Sequence, residues 1–407
     1  MRAPFPGDAV DTQNIGRRIA YWRERRGFTQ GDFGRLMGKS RRWVQDLEGG
    51  QRQADPRLSV LQRAADVLRV PLERLVTDRT TPDPSHTAAL PAEAAALVDS
   101  LHAPARGGNI VPVVDLRRRV TFCCRAWESC HYAAAARDLP SVLADAHRTA
   151  TTSDEAAVLL SRAYQLTASL LFKYGALART PAVLAADRAL AAAEVAGDPV
   201  AIGAAARRVA RGLIHQQRHG AAAEYATTTA DTLRTDLERS GAAGLSTLGM
   251  LYLVAAVGAT GTGRSPQTVA TATEQLGQAG EVAEQQGEHG ADFTNFGPAN
   301  VQLHAVDVLL RLDDAWSAVE AAQRIDGGVV AGLGRERQAR HLVTTARASA
   351  LTRRREDATR DLLEAERLAP EEVRRPSVTR LVGELTELVP TPGPELTGLA
   401  RRCGLRA

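Results

Sequence analysis

Apolar positions in this chain recur at spacings of three and four along most of its length, the period of one helical face. Near the start, Ile15, Ile19 and Trp22 mark a first helix. Gly27 ends it, because a helix C-terminus favours a residue with positive φ. Thr29 is placed to cap a second helix, Gln30–Met37, and Gly38 to make the turn that follows. Ser40 caps a third, Arg41–Glu48, which Gly49 and Gly50 stop. Leu58–Leu68 and residues 71–75 supply two more helices to close a small core. A turn this short forces a steep crossing and projects the third helix outward. Phe33, Leu36, Val44 and Leu47 are expected inside, with Arg41, Arg42, Gln45 and Asp46 facing out.

After Val76 the pattern breaks. Thr77-Asp78-Arg79-Thr80-Thr81-Pro82-Asp83-Pro84-Ser85 has the proline and small polar residues of a linker. A short helix is predicted over 91–101. From 113 to 388 the period is helical throughout and falls into hairpins. The first helices lie near 163–174, 201–216, 300–312 and 335–350, and the second near 182–196, 221–233, 315–325 and 356–368. With one more hairpin near 243–286, the second helices start roughly 38–47 residues apart. A repeating unit of two helices at that period predicts a tetratricopeptide-like α-solenoid. Ala185, Ala186, Ala192, Ala193, Ala318, Ala321 and Ala322 let neighbouring hairpins stack closely. Pro376–Leu388 reads as a closing helix with a polar outer face. The predicted organisation is a disordered lead (1–13), a five-helix domain (14–78), a linker with a short helix (79–112), the solenoid (113–390) and a tail (391–407).

Composition agrees with an all-α protein. Aromatics are 4% of residues and alanine, the best helix former, is abundant. Charge is uneven. Fourteen Arg and Lys face eight Asp and Glu between Asn14 and Asp78, an excess of six in a chain of net charge +4. A basic head on a near-neutral body fits an anionic partner for the head alone. No secretory leader follows Met1, and no stretch is read as spanning a bilayer, so a cytoplasmic protein with no membrane partner is expected. Cys123, Cys124, Cys130 and Cys403 fit neither a zinc pattern nor a disulfide framework. The first three, placed on one helix beside Trp127, read as buried small hydrophobes or, less simply, as a thiol sensor. His215 and His219 have the i,i+4 spacing of zinc ligands but lack a third, and read otherwise as a solvated helix end. A phosphate loop, a nucleophile elbow and a zincin motif are all missing. No enzyme, metal or cofactor is therefore expected.

The first block resembles the Cro/repressor (Xre-type) helix-turn-helix family. Thr29-Gln30, Phe33-Gly34, Gly38, Ser40, Val44 and Leu47-Glu48-x-Gly50 carry the resemblance, over about 63 of the 407 residues. It implies double-stranded DNA as partner, Gln30 as a phosphate clamp at a helix N-terminus, and Arg41, Arg42 and Asp46 at base edges. Arg pairs with guanine and Gln45 is suited to adenine. Asp46 either accepts from cytosine or holds Arg42 at helical spacing. Trp43 is large enough to pack on the sugar-phosphate backbone. Arg41 and Arg42 as a solvated face touching phosphate alone is the competing reading. Domains of this type read two-fold sites as dimers, so a homodimer held by the solenoid is expected.

The whole chain is similar to actinobacterial regulators of this type with a tetratricopeptide-like region, and more distantly to peptide-receptor regulators of the RRNPP type. Ala163-Tyr164-Gln165-Leu166, Phe296-Gly297-Pro298-Ala299-Asn300-Val301-x-Leu303-His304 and Ala369-Pro370-Glu371-Glu372-Val373-Arg374 carry that likeness. It implies a peptide or small-molecule effector in a concave groove. Phe293, Asn295, Phe296, Asn300 and His304 are the candidate contacts, since amides bond peptide backbones and aromatics bury apolar groups. Alternatively, Asn295 caps the next helix and His304 is a core residue. A DNA-bound protein-interaction scaffold without an effector is the other reading of the chain.

Overall fold

Every regular element in the computed structural model is a helix, among the residues it describes: 12–48, 56–70, 72–76, 90–102, 108–287, 290–389 and 392–405. The chain divides into two units, Met1–Ala88 and Ala89–Ala407.

The first unit contains α1 (Thr12–Arg25), α2 (Gln30–Met37), α3 (Arg41–Glu48), α4 (Leu58–Leu68) and α5 (Glu73–Val76). Ile15, Ile19, Trp22, Phe33, Val44, Leu47, Leu61, Leu68 and Leu75 form its core, as the helical spacing requires. Leu36 departs from expectation at 47% exposed, and Met37 is buried instead. Phe33 and Met37, four apart, share the inner stripe of α2, and Leu36 falls beside it. Helix α1 begins inside the expected lead. Gly49, Gly50 and Pro71 lie outside the described residues.

The second unit begins with α6 (Ala92–His102), which packs on it rather than standing in a linker. Six hairpins follow: α7 (Val113–Glu128) with α8 (Tyr132–Thr149), α9 (Asp154–Phe172) with α10 (Arg179–Ala196), α11 (Pro199–His215) with α12 (His219–Arg239), and α13 (Gly241–Ala259) with α14 (Pro266–Gln286). Next come α15 (Pro298–Arg311) with α16 (Ala315–Arg324), the short α17 (Gly327–Ala331), and α18 (Arg335–Leu351) with α19 (Arg355–Leu368). The chain ends in α20 (Pro370–Val373), α21 (Pro376–Leu388) and α22 (Pro394–Arg402). Ser153, Asp198, Ser265 and Asp314 each accept a backbone N–H at a helix start, so the polar residues between apolar runs set the boundaries. Ala182, Ala185, Ala186, Ala189 and Ala193 of α10 are fully buried against α9 and α11.

The first helices of the hairpins touch in the order α7, α9, α11, α13, α15 and α18, and α18 touches α7 again. The stack therefore closes into a ring instead of running on as an open solenoid. Lys173 is the clasp. Its Nζ lies 2.8 Å from Glu372 and 3.1 Å from Glu336, beneath the rings of Trp127 and Tyr132 at 4.4 and 4.3 Å. The Tyr132 hydroxyl donates to Glu372 at 2.8 Å, and the Ala133 N–H to Glu371 at 2.9 Å.

Three sequence expectations change. The segment Gly241–Thr262 is long and apolar enough to cross a membrane, contrary to the sequence reading, but 83% of its 18-residue apolar window is buried. The expected tail carries α22, whose Leu396, Leu399 and Ala400 cover α21 and α19. Cys130 lies just past α7 with φ 62°, not on the helix with Cys123 and Cys124. All three thiols are buried, and burial pushes each up to about 12, which makes them poor nucleophiles.

Candidate nucleic-acid interface

Helix α2 and the turn that leads into α3 are fixed by caps and glycines. Thr29 Oγ1 accepts the Asp32 N–H at 3.1 Å, and Asp32 accepts the Thr29 N–H at 3.3 Å, a reciprocal cap. Bonds from Thr29, then Arg35, hold the Asp32 carboxyl below its usual range. Gly38 ends α2 with φ 66°, a conformation that costs glycine little. At Gly34 a Cβ would sit 2.9 Å from the Lys39 carbonyl oxygen, so a bare backbone permits the tight crossing. Ser40 Oγ accepts the Trp43 N–H at 3.2 Å and starts α3.

A buried network then ties the three helices together. Arg23 of α1 bonds both oxygens of Glu48 at 2.5 and 3.0 Å, and donates to the Phe28 carbonyl at 2.9 Å. Burial alone would lower the Arg23 guanidinium, but Glu48 and Glu24 outweigh it and leave it raised. Gln30 Nε2 donates to the second Glu48 oxygen at 2.9 Å. The Gln30 amide has two N–H donors, so Glu48 orients it and leaves one for another acceptor.

Arg41, Arg42 and Gln45 are exposed on the outer face of α3. Asp46 is half-buried. Trp43 is half-buried against the core of the head, with Lys39 Nζ 5.8 Å from its ring, so it braces the platform as well as bordering the face. Not every basic residue of the head faces outward. Arg18 donates to the Leu75 and Val76 carbonyls, and Arg26 to those of Leu68 and Arg69. These arginines satisfy helix C-termini. Their role has no local sequence signal, because each partner lies more than 40 residues away.

The candidate effector residues separate in space. Phe296 is fully buried, and its ring fills the place where a Gly249 side chain would stand. Asn295 Oδ1 accepts the Gly334 N–H at 2.7 Å, while Gly297, not Asn295, precedes α15. Phe293 is 42% exposed in a turn where it and Asp292 both have positive φ. Asn300 and His304 share a buried face of α15. The Asn300 Oδ1 has no hydrogen-bond partner, and His304 Nδ1 lies 2.7 Å from Arg337 Nη2. His215 and His219 straddle the turn between α11 and α12. His215 is half-buried and stacks on Phe172 at 4.5 Å, so it is not a solvated end. No group of three metal-ligating side chains occurs among the described residues.

A short helix held proud of a two-helix platform, with arginines and an amide along its exposed face, is the DNA-reading element of a helix-turn-helix protein. Residues 14–76 match the family of that description, the helix-turn-helix domain. The match supports a DNA-binding regulator. A search of curated proteins gave no match.

Proposed function

We propose that the chain is an Xre-type transcription regulator that reads a specific operator through α3 and is switched by an effector bound in its second unit. The observation that carries this is the outward face of α3, with Arg41, Arg42 and Gln45 exposed on a helix that Arg23, Glu48 and Gln30 hold rigidly. In this reading Arg41 and Arg42 read bases, and Gln30, oriented by Glu48, clamps a phosphate. The eight residues of α3 span about 12 Å at 1.5 Å per residue, enough for only a few base pairs. Operator-level specificity thus calls for two heads, which supports a homodimer on half-sites about 34 Å apart. The closed ring of the second unit has buried polar groups without partners, which favours an effector over a scaffold role. A regulator of this kind acts inside the cell.

Selection from a random duplex library tests the first part. The full chain should enrich a two-fold motif, and Arg41→Ala or Arg42→Ala should each cost about 1–3 kcal/mol of discrimination at one base position per half-site. Equal weakening on every sequence would assign these arginines to phosphate instead. Melting the chain with and without extract from its own cells tests the second, because a native-state ligand raises stability.

A further inference from the structure

Reading DNA leaves unused a concentration of arginine inside the ring. Arg162 comes from α9, Arg207, Arg208 and Arg211 from α11, and Arg337 and Arg340 from α18. Arg207 and Arg211 lie within electrostatic reach of Arg340, Arg208 of Arg162, and Arg337 of Arg340. Burial, then Arg208, Arg211, Arg162 and Arg340, lowers Arg207. Burial and Arg162 pull Arg208 down to about 10, and burial with Arg340 and Arg208 pulls Arg211 to about 9. Burial and Arg340 bring Arg337 to about 9.

Carboxylates nearby do not neutralise this charge. Asp292 is bonded by Arg162, Asp307 by Arg311, and Glu336 by Lys173 with Arg340 beyond it at 3.7 Å. Among the described residues, Arg207, Arg208 and Arg211 have no hydrogen-bond or ion-pair partner. The buried Nε atoms of Arg208 and Arg337 are unpartnered, as are Asn300 Oδ1 and His341 Nδ1 beside them. A buried cation without a partner is costly, and a group of them strongly attracts an anion. Yet Arg207, Arg208 and Arg211 are half-buried rather than sealed.

The histidines around the cluster are arranged for the same end. Burial and neighbouring arginines pull His215 and His341 down to about 4, and His304 well below its ordinary value. All three are neutral at pH 7 and keep one N–H to donate. His304 Nδ1 lies 2.7 Å from the Arg337 donor and 2.9 Å from the Asn300 carbonyl. One ring nitrogen cannot accept from the first and donate to the second at once. A ligand that draws Arg337 away frees His304 to donate to Asn300.

We propose that the ring interior binds a small molecule bearing a phosphate group, held by Arg207, Arg208, Arg211 and Arg337. Three unpaired guanidinia stand together on α11, and Arg337 of α18, bonded to His304, is a fourth without a carboxylate partner among the described residues. A phosphate carries close to two charges and three acceptor oxygens, whereas a single carboxylate answers one. The proposal rests on the effector reading of the second unit and narrows the effector to an organic phosphate.

Calorimetric titration of the full chain with inorganic pyrophosphate tests it, with sodium chloride at matched ionic strength as reference. Wild type and the head variant Arg41→Ala/Arg42→Ala should bind saturably at one site. Arg208→Gln/Arg211→Gln should bind at least tenfold more weakly, and without ligand it should melt above wild type because a source of self-repulsion is gone. Absence of saturable binding, equal affinity in the ring variant, loss in the head variant, or a ring variant that melts lower would each overturn the site. Operator affinity measured on the same samples separates this from the broader reading. Pyrophosphate binding with unchanged operator affinity upholds the site and removes the switch. An extract that stabilises the chain while pyrophosphate does not bind removes the phosphate class and keeps the switch.

Discussion

Glu48 concentrates the logic of the head in one carboxylate. It ends α3, yet its oxygens hold Arg23 from α1 and Gln30 from α2. Arg23 and Glu48 have side chains only 7% and 8% exposed, so neither charge has water to fall back on. Breaking a buried pair by removing one partner costs far more than losing a surface bridge. Glu48→Gln should therefore destabilise the head by about 3–5 kcal/mol in urea unfolding. Operator affinity should fall in the same variant, because Gln30 loses its orientation. A variant with native stability would remove Glu48 from this role. The residue was visible in the sequence as part of a motif, but its partners were not. Arg23 is 25 positions away and Gln30 18. Thr29 and Ser40, by contrast, act three residues along the chain, so their caps were readable from spacing.

Between elements, the hairpin pattern was legible and the detail of packing was not. Most predicted helices appear within a few residues of their expected ends, since capping residues and glycines act locally. The segment around Phe296 looked like a binding loop because it holds aromatics and amides together. In the structure its ring lies over Gly249 of α13, where an added Cβ would stand 1.8 Å from Phe296 Cζ. Gly249→Ala should thus expel the ring and cost about 1–3 kcal/mol, measured by thermal or urea melting of the second unit. A neutral effect would show that α13 and α15 repack freely. The exposed neighbour, Phe293, remains the aromatic of that loop accessible to a ligand.

At the scale of the molecule, the second unit is held shut by charges buried in its ring. Glu336 and Glu372 are kept below the usual carboxylate range: burial alone would raise them, but Lys173 and nearby arginines outweigh it. Asp307 is lowered against burial by Arg311. His215 and His341 are lowered to about 4, chiefly by burial. In every case the unfolded chain binds protons more readily, so stability is fullest above the unfolded pKa and falls as pH drops. The decline should start near pH 6.5 with the histidines and steepen below about 4.5 as the carboxylates follow. Urea midpoints between pH 7.5 and 4 would show it. Replacing His215, His304 and His341 by Gln should flatten most of the upper limb and leave the lower one, and a midpoint constant from pH 7 to 5 would refute the assignment.

The helical period, the capping residues and the glycine turns determined by themselves that this chain is all-α, that a helix-turn-helix opens it, and that Arg41, Arg42 and Gln45 stand on its outer face. Those properties follow from residues within a turn or two of each other. Only the tertiary structure decided that the hairpins close into a ring, because the clasp joins Lys173 to Glu336 and Glu372, 163 and 199 positions later. The same closure gathers arginines from α9, α11 and α18 around one interior. Each of them reads, in the sequence, as an ordinary solvated charge on a helix. Arg162 meets Asp292 and Arg340 stands near Glu336, while Arg207, Arg208 and Arg211 meet no carboxylate among the described residues, and no local pattern records which of these partners a distant segment supplies.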